Sequence, residues 1–412
     1  MTSRKKSKVI AHISEGISGF FQNWIREFQV IFSDVGVMVI IFAVPLIYPV
    51  LYSLIYYPEV VREMPVAVTD LSQSRESREF IRNLNATPEL QVAFQAQGMN
   101  ESIEQFKKRK VKGIVLIPES FSRDIANRHQ TVISAYADMG FFLHYKALMT
   151  GVNFVALETG KQIQVQNLTN TGLGTHQSEI KANPLQLIDN AMANHGGGFA
   201  SYGVPAALIL IIQQTLVLAI GILAGTARER HPNGELVPPD KERLGTLRLV
   251  AGKTAAYFSI YALLCVYMLG LIPQLFGYSR TASFYELMTL LIPFLLSSIF
   301  MGLTLSVFFK NRESAMMLYL FTSIPLLFLS GIIWPLSNFS PLWLAVRQFF
   351  PSSDAIFGFI KLNSLGASVT ETSKEIASLW IHTAIFLLTA CAAYAYEVLA
   401  GCRKYELQSK NG

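Results

Sequence analysis

Six stretches of the chain lack Asp, Glu, Lys and Arg and consist mainly of apolar residues. They cover residues 35–58, 203–227, 254–279, 287–309, 314–346 and 376–396. A bilayer hydrocarbon core about 30 Å thick needs about 20 apolar residues to be crossed by a helix. The pattern therefore excludes a soluble enzyme and favours a polytopic α-helical membrane protein. It predicts six transmembrane helices, at about 35–57, 204–225, 254–276, 287–309, 314–333 and 377–399.

A helical pattern precedes the first predicted span. Apolar residues recur there at intervals of three and four: Ile17, Phe20, Phe21, Trp24, Ile25, Phe28, Ile31 and Phe32. Polar residues, including Asn23 and Glu27, fill the opposite face. This pattern predicts an amphipathic helix that lies in the membrane interface, with Phe21, Trp24 and Phe28 as its anchors. A helix packed against another protein surface is the alternative.

A polar insert, residues 58–202, separates the first two predicted spans and is too long for a simple connection. Strand-like and helix-like segments alternate within it, which predicts a small α/β domain. The predicted strands are 65–70, 90–96, 111–118 and 131–138. The predicted helices are 74–85, 101–110, 119–128 and 141 to about 169.

Charge gives the orientation of these spans. Only 15% of the 412 residues are charged, against about 25% in soluble domains, and the net charge is +6. Lys and Arg concentrate in segment 1–34, in loop 226–253, in the turn after the fourth span and after the sixth span. Basic segments of this kind stay in the cytoplasm. Both termini are therefore predicted to be cytoplasmic and the insert extracytoplasmic, and the positive charge does not indicate a nucleic-acid partner.

Polar residues inside the spans are candidates for a translocation path. Gln213 and Gln214 lie midway along the second span, and a buried amide is costly unless it is hydrogen-bonded. They should therefore face a neighbouring helix or a water-filled path. Segment 335–375 contains apolar stretches too short to cross, broken at Pro351, and is predicted to be re-entrant. His382 in the sixth span is either a proton-relay group or a neutral histidine near the interface.

Motifs of catalysis and metal binding are not found in the sequence. The run Ala251-Gly-Lys-Thr254 is not a phosphate-binding loop, because Leu247 stands where that motif requires glycine and no strand precedes it. Pairs of catalytic groups and Cys-x-x-Cys motifs are also missing. We therefore predict no catalytic residue, no metal site and no cofactor on this chain, so any ATP hydrolysis must come from another polypeptide.

Three blocks of sequence carry a family resemblance. The first is Val66-Ala-Val-Thr-Asp70 followed by a Ser-rich turn, and the second is Val111-Lys-Gly-Ile-Val-Leu-Ile-Pro118. The third follows the fifth span and reads Ser330-Gly331-Ile-Ile-Trp334-Pro335, with further prolines at positions 341 and 351. In these blocks the chain resembles the permease subunits of ABC-2 type exporters, in the branch with a large extracytoplasmic domain after the first transmembrane helix.

The cytoplasmic loop adds to the resemblance. Its elements are Arg228-Glu229-Arg230, Gly245-Thr246-Leu247 and Gly252-Lys253, with a longer gap between the first two than is usual in the family. The resemblance implies that this loop docks into a cytoplasmic ATPase through a short coupling helix at 244–250. The residues implied in coupling are Glu229, Arg230, Leu244, Gly245, Thr246, Leu247, Leu249 and Val250.

The resemblance also implies a function. The expected protein is an exporter permease of the bacterial inner membrane that moves its substrate outward. The composition of the spans, which is apolar and without rows of charge, adds that this substrate is hydrophobic or amphipathic. The expected partners of the permease are an ATPase subunit that holds ATP and Mg, a second identical or similar permease chain, and a periplasmic membrane-fusion adaptor. The residues assigned to the translocation path are Gln213, Gln214, Pro325, Ser330, Gly331 and Trp334.

Another class of function explains the insert equally well. A non-transporting membrane scaffold could recruit an envelope complex through an external domain. That hypothesis explains poorly why the cytoplasmic loop carries a Gly-Thr-Leu element and why a span contains the pair Gln213 and Gln214. An intramembrane enzyme is a third alternative, and it lacks paired catalytic groups.

Overall fold

The structure is a computed structural model that describes residues 19–57, 60–185, 198, 200–231, 236, 245–278 and 280–411. The basic segment before residue 19 and most of loop 232–244, including Leu244, lie outside the described residues. The chain divides into two compact units. One combines Met1–Tyr57 with Ala191–Gly412 and is called the helical unit below, and the other, Pro58–Asn190, is called the insert unit.

The insert unit is an α/β structure whose elements follow the predicted order. Its strands are β1 (Met64–Asp70), β2 (Leu90–Ala96), β3 (Gly113–Ile117) and β4 (Ser134–Ala137). Its helices are α3 (Arg75–Asn85), α4 (Met99–Lys107), α5 (Phe121–Ala126), α6 (Phe142–Asn170) and α7 (Thr175–Ala182). The sheet order is β2-β1-β3-β4, in which β1 pairs in parallel with β2 and β3, and β4 runs antiparallel to β3.

Local chemistry explains how β1 leads into α3. The Asp70 carboxylate accepts hydrogen bonds from the backbone amides of Ser72 and Gln73 and from the Ser77 hydroxyl. Ser74 caps α3 in a reciprocal pair of hydrogen bonds with Ser77. Asp70 therefore stabilises a turn, which accounts for an acid at the end of this strand without any catalytic role.

The helical unit contains nine described helices. Helix α1 covers residues 19–33. The others are α2 (Val35–Ile55), α8 (Ala200–Arg230), α9 (Thr246–Leu275), α10 (Phe284–Ser306), α11 (Arg312–Leu329), α12 (Pro341–Gln348), α13 (Pro351–Phe359) and α14 (Ser373–Asn411). Their apolar side chains form one large buried cluster.

Among the described residues, five helices are long and apolar enough to cross a membrane: α2, α8, α9, α10 and the part of α14 from Ser373 to Ala400. The fifth predicted span corresponds to α11, which has 18 residues and carries Arg312 and Glu313 in its first turn. These charges lower its mean hydropathy, and at 1.5 Å per residue its length is about 27 Å. The fifth predicted span, at 314–333, and with it a total of six, therefore stays a prediction.

Candidate functional site

An ion pair joins α1 to α9. The Lys253 ammonium lies 2.7 Å from both carboxylate oxygens of Glu27, and the Tyr257 hydroxyl donates to the same carboxylate at 3.1 Å. Glu27 is 8% exposed. The helices approach closely here, because a Cβ added to Gly252 would lie 2.6 Å from Cβ of Asn23. The polar face of α1 is thus a packing surface for α9.

A second ion pair joins α2 to α11. Both Asp34 oxygens accept from the Arg312 guanidinium, at 2.8 and 3.1 Å, and Asp34 also caps α2 by accepting from the Val37 amide. Burial alone would raise the pKa of Asp34, but these hydrogen bonds and the Arg312 charge outweigh it and lower the pKa. The Arg312 amide in turn donates to Glu229, at the end of α8.

Arg228, near the end of α8, connects this helix to two further elements. Its guanidinium lies 2.8 Å from the Glu397 carboxylate on α14 and donates to the Val307 carbonyl just after α10. We call this region, where α1, the end of α8 and the starts of α9 and α11 meet, the basic end of the helical unit. Each of its ion pairs joins elements far apart in the sequence, so together they fix the arrangement of the bundle.

The predicted coupling residues lie at this end, but they are not equally accessible. Glu229, Arg230 and Leu247 are exposed, Leu247 to 66%. Leu249 and Val250 are buried in the core, so they do not belong to an exposed docking surface. The coupling helix at 244–250 stays a prediction, with Leu247 as its exposed apolar residue in the described part.

Helix α9 itself starts within that segment. It begins at Thr246, follows Gly245 with φ of +74°, and continues without a break into the span. Positive φ favours glycine, which explains the Gly-Thr-Leu element as a sharp entry into a helix.

Helices α12 and α13 form a hairpin at what we call the hairpin end of the helical unit. Helix α13 is largely buried and packs against α8, α10 and α14. The Gln213 side-chain oxygen accepts from the Ser352 amide at 2.7 Å, in the first turn of α13. The first backbone amides of a helix lack partners within it, and they are costly to bury in apolar surroundings. Gln213 therefore allows a helix to begin inside the bundle.

A buried ion pair holds the hairpin together. Arg347 lies 3.1 Å from Asp354 and also donates to the Ser353 carbonyl, while Asp354 accepts from Ser378 on α14 at 2.6 Å. His382 bonds through Nε2 to the Gln348 carbonyl at 2.6 Å and stacks on Phe386. This neighbourhood gives His382 a structural role.

The two glutamines also border an apolar cavity of about 160 Å³ between α8, α10 and α11. Its lining includes Tyr319, Thr322, Phe349 and Phe350, and none of the described residues that line it is charged. Gln214 donates to Thr322 across the cavity wall at 3.4 Å. Such a cavity can hold an apolar group and orient it with a few hydrogen bonds.

The other predicted path residues do not line this cavity. Pro325 and Trp334 are exposed, and Ser330 is fully buried and bonds to its own helix. Gly331 has φ of +87°, and a Cβ there would lie 2.7 Å from the Leu336 side chain. Its role is the turn after α11.

Comparisons with known proteins decide the family. A model of a family described as ABC-2 family transporter protein matches residues 36–392. The chain belongs to the ABC-2 family of transporter proteins. It is similar to the linearmycin resistance permease protein LnrN of Bacillus subtilis (strain 168), with 22% identity over 320 residues that cover 74% of this chain and 81% of that protein. No significant match was found among solved structures.

Family membership confirms the predicted resemblance. The ABC-2 chain is a permease and, with five helices in its described part that are long and apolar enough to cross a membrane, a multi-pass membrane protein that works in transport. Permeases of this family are membrane components without an ATPase site of their own, and the family implies a partner ATP-binding subunit.

The predicted anchors of α1 in this ABC-2 permease differ in exposure. Phe21 is 48% exposed, whereas Trp24 and Phe28 are half-buried. Ring contacts continue from Trp24 through Phe28 and Phe32 to Phe42, so the aromatic row joins α1 to α2. Because Phe21, Ile25 and Phe32 remain exposed, α1 has one apolar side that the described chain does not cover.

Sequence reasoning missed the ion pairs of both ends of the ABC-2 permease. Lys253 belongs to the Gly252-Lys253 motif of the family resemblance, and Glu27 lies on the polar face of α1. The available signal was their opposite charge, because a charge that folding buries must find a partner. The identity of each partner could not be read, since Glu27 and Lys253 are 226 residues apart.

Proposed function

We propose that this permease exports a hydrophobic or amphipathic molecule, driven by ATP that a separate subunit binds with Mg and hydrolyses. The observation that carries the proposal is the apolar cavity beside Gln213 and Gln214, which is suited to part of such a molecule. At about 160 Å³ it is smaller than the about 300–1,000 Å³ of drug-sized sites, so it would hold one apolar group at a time. The similarity to the linearmycin resistance permease protein of Bacillus subtilis supports a substrate of the same class as linearmycin.

A second permease chain is the proposed neighbour of α11. Exposed apolar side chains lie on one face of this helix at intervals of three and four residues: Met317, Leu320, Phe321, Ile324 and Phe328. Helix α11 also forms one wall of the apolar cavity, through Leu318, Tyr319 and Thr322. A second copy packed there would place the cavity beside the axis of a dimer.

The proposed orientation puts both termini and the basic end in the cytoplasm of a bacterium, and the insert unit outside its inner membrane. The distribution of Lys and Arg supports this orientation. On the insert unit, α6 carries the exposed apolar residues Phe142, Phe154 and Leu157, and these are our candidates for contact with an adaptor.

Coupling is proposed to act through the exposed residues Glu229, Arg230 and Leu247. A push on the first turn of α9 would reach α1 through Lys253 and Glu27, while Glu229 connects the end of α8 to the start of α11. ATP binding would therefore bias two arrangements of these helices, provided that the ATPase contacts them differently in each arrangement.

Charge substitution tests the coupling surface. The chain is purified with its ATP-binding partner, and ATP hydrolysis and export are measured for Leu247→Asp and for the control Phe308→Asp. Both side chains are exposed, to 66% and 75%, and both lie at the basic end. We expect Leu247→Asp to abolish coupled export and Phe308→Asp to leave it intact.

Two results would contradict the proposal. Equal export by the two variants would remove α9 from the coupling surface. Purification with envelope proteins and without any ATP-binding subunit would favour the membrane scaffold.

A further inference from the structure

A second cavity, of about 220 Å³, lies at the basic end between α1, α8 and α9. It is distinct from the apolar cavity, since the two share no lining residue. Its lining is amphipathic: Leu223 and Leu249 are among its apolar residues, and charged, amide and hydroxyl side chains are among its polar ones. The proposed substrate path does not use this cavity, although Glu27, Arg230 and Lys253 of its lining take part in the proposed coupling.

Among the described residues, the charges that line this cavity leave an excess of cations. The two carboxylates in this part of the lining, Glu27 and Asp34, are each neutralised, by Lys253 and Arg312. Arg26 and Arg230 also line the cavity, both are exposed, and neither makes an ion pair with another described residue. Two guanidinium groups at one opening suit a phosphate, which they can bind with paired hydrogen bonds.

Two buried polar atoms provide an independent observation. The amide nitrogen of Asn23 and the hydroxyl of Thr226 have no hydrogen-bond partner among the described residues. Both residues line the cavity, and they are only 5% and 7% exposed. A buried donor without a partner is destabilising, so such groups in a cavity point to a ligand that accepts hydrogen bonds.

We propose that this cavity binds the phosphate of an anionic phospholipid headgroup. The phosphate would accept hydrogen bonds from Arg26 and Arg230 at the opening and from Asn23 and Thr226 inside. A membrane source is favoured over free phosphate because α1 carries an exposed apolar side, which would place this helix, and the cavity beside it, at the level of the headgroups.

Lipid binding by the purified full-length chain in detergent tests the proposal. Three probes are titrated: dioctanoyl phosphatidylglycerol, dioctanoyl phosphatidylcholine and inorganic phosphate. The variants are Arg26→Gln with Arg230→Gln, and the control Lys310→Gln, an exposed cation of the basic end that does not line the cavity. We expect phosphatidylglycerol to bind the unmodified chain most tightly of the three probes. Its affinity should be about tenfold lower for the double variant and unchanged for the control.

Thr226→Val gives a readout that a purely structural role would not. Removing an unpartnered buried hydroxyl should raise the melting temperature of the chain without lipid. The same variant should lose part of the rise in melting temperature that phosphatidylglycerol gives to the unmodified chain. The two effects have opposite signs, so a general loss of folding cannot imitate them.

Several results would overturn the inference. Equal binding of phosphatidylglycerol to the double variant and to the control would remove the cavity as its site. Inorganic phosphate binding as tightly as phosphatidylglycerol would exclude the membrane as the source. A Thr226→Val chain that melts at a lower temperature without lipid would mean that its hydroxyl has a partner in the protein.

Discussion

Both ends of the helical unit contain buried ion pairs, but the paired residues are separated by different numbers of residues along the chain. At the basic end, Glu27 pairs with Lys253 and Asp34 with Arg312, across 226 and 278 residues. At the hairpin end, Lys361 pairs with Glu375 across 14 residues, and Arg347 pairs with Asp354 in the next helix. Pairs of the first kind join distant helices, whereas pairs of the second kind hold a local structure in place.

This difference indicates which end is suited to which task. A network that joins α1, α8, α9, α11 and α14 can spread a displacement over the bundle, as coupling requires. A hairpin held by local pairs shapes its own neighbourhood, here the apolar cavity that Phe349 and Phe350 help to line. The comparison predicts global effects from changes at the basic end and local effects from changes at the hairpin end.

The largest effect is expected from Lys253→Met. It leaves the buried Glu27 carboxylate without a cation, which typically costs about 3–5 kcal/mol. Thermal unfolding in detergent should show a large fall in melting temperature, and Glu27→Gln in the same chain should restore much of it. Lys108→Met is the matched control, because its pair with Glu104 is exposed and should matter little.

Asp354→Asn should have a smaller and more local effect. It removes the charge partner of Arg347, while Asn can still accept from Ser378 and Arg347 keeps the Ser353 carbonyl. We expect a loss of about 2–3 kcal/mol. Hydrogen exchange should rise in residues 341–364 and stay unchanged in α1. A rise of equal size in α1 would contradict the comparison.

Gln213→Leu should cost about 1–2 kcal/mol, because it leaves the Ser352 amide in the first turn of α13 without its partner. Gln214→Leu is the matched control, since its contact with Thr322 is long, at 3.4 Å, and should contribute about 0.5 kcal/mol. Melting temperatures of the two variants give the comparison. Equal losses would mean that the capping of α13 does not decide its stability.

The smallest effect is expected from a change of pH between 7.5 and 5.5. The pKa of Asp34 is lowered below its usual 3.8, so its contribution to stability is present above that value and is lost as the pH falls through the lowered pKa. Asp34→Asn should therefore lower the melting temperature by the same amount at pH 7.5 and at pH 5.5. A difference that shrinks at pH 5.5 would show that Asp34 titrates higher than its contacts imply.

Patterns of adjacent residues allowed much of the fold to be predicted. Period-two and period-three-to-four patterns are local, and so the strand at Met64–Asp70 and the helix at Phe142–Asn170 lie close to their predicted ranges. The charge-free runs indicated all five of the described helices that are long and apolar enough to cross a membrane. For α11, Arg312 and Glu313 lie at the boundary between span and loop, where such patterns are least decisive.

The candidate site was less accessible to prediction, because it depends on contacts between distant residues. The family resemblance assigned Leu249 to a docking surface, but its side chain on α9 is buried in the core. It identified Gln213 as a residue that needs a partner, but the partner, the Ser352 amide, is 139 residues away. Backbone groups carry no sequence signal of their own, so this contact required the structure.

Transport into inverted membrane vesicles tests the central claim most directly. Vesicles that contain the chain and its ATP-binding subunit are given ATP and linearmycin or a fluorescent phospholipid, with Leu247→Asp vesicles as the control. An outward exporter of amphipathic molecules should accumulate one of these compounds inside inverted vesicles when ATP is hydrolysed, and the Leu247→Asp chain should not. ATP-dependent depletion of the vesicles, or equal accumulation by both chains, would contradict the account.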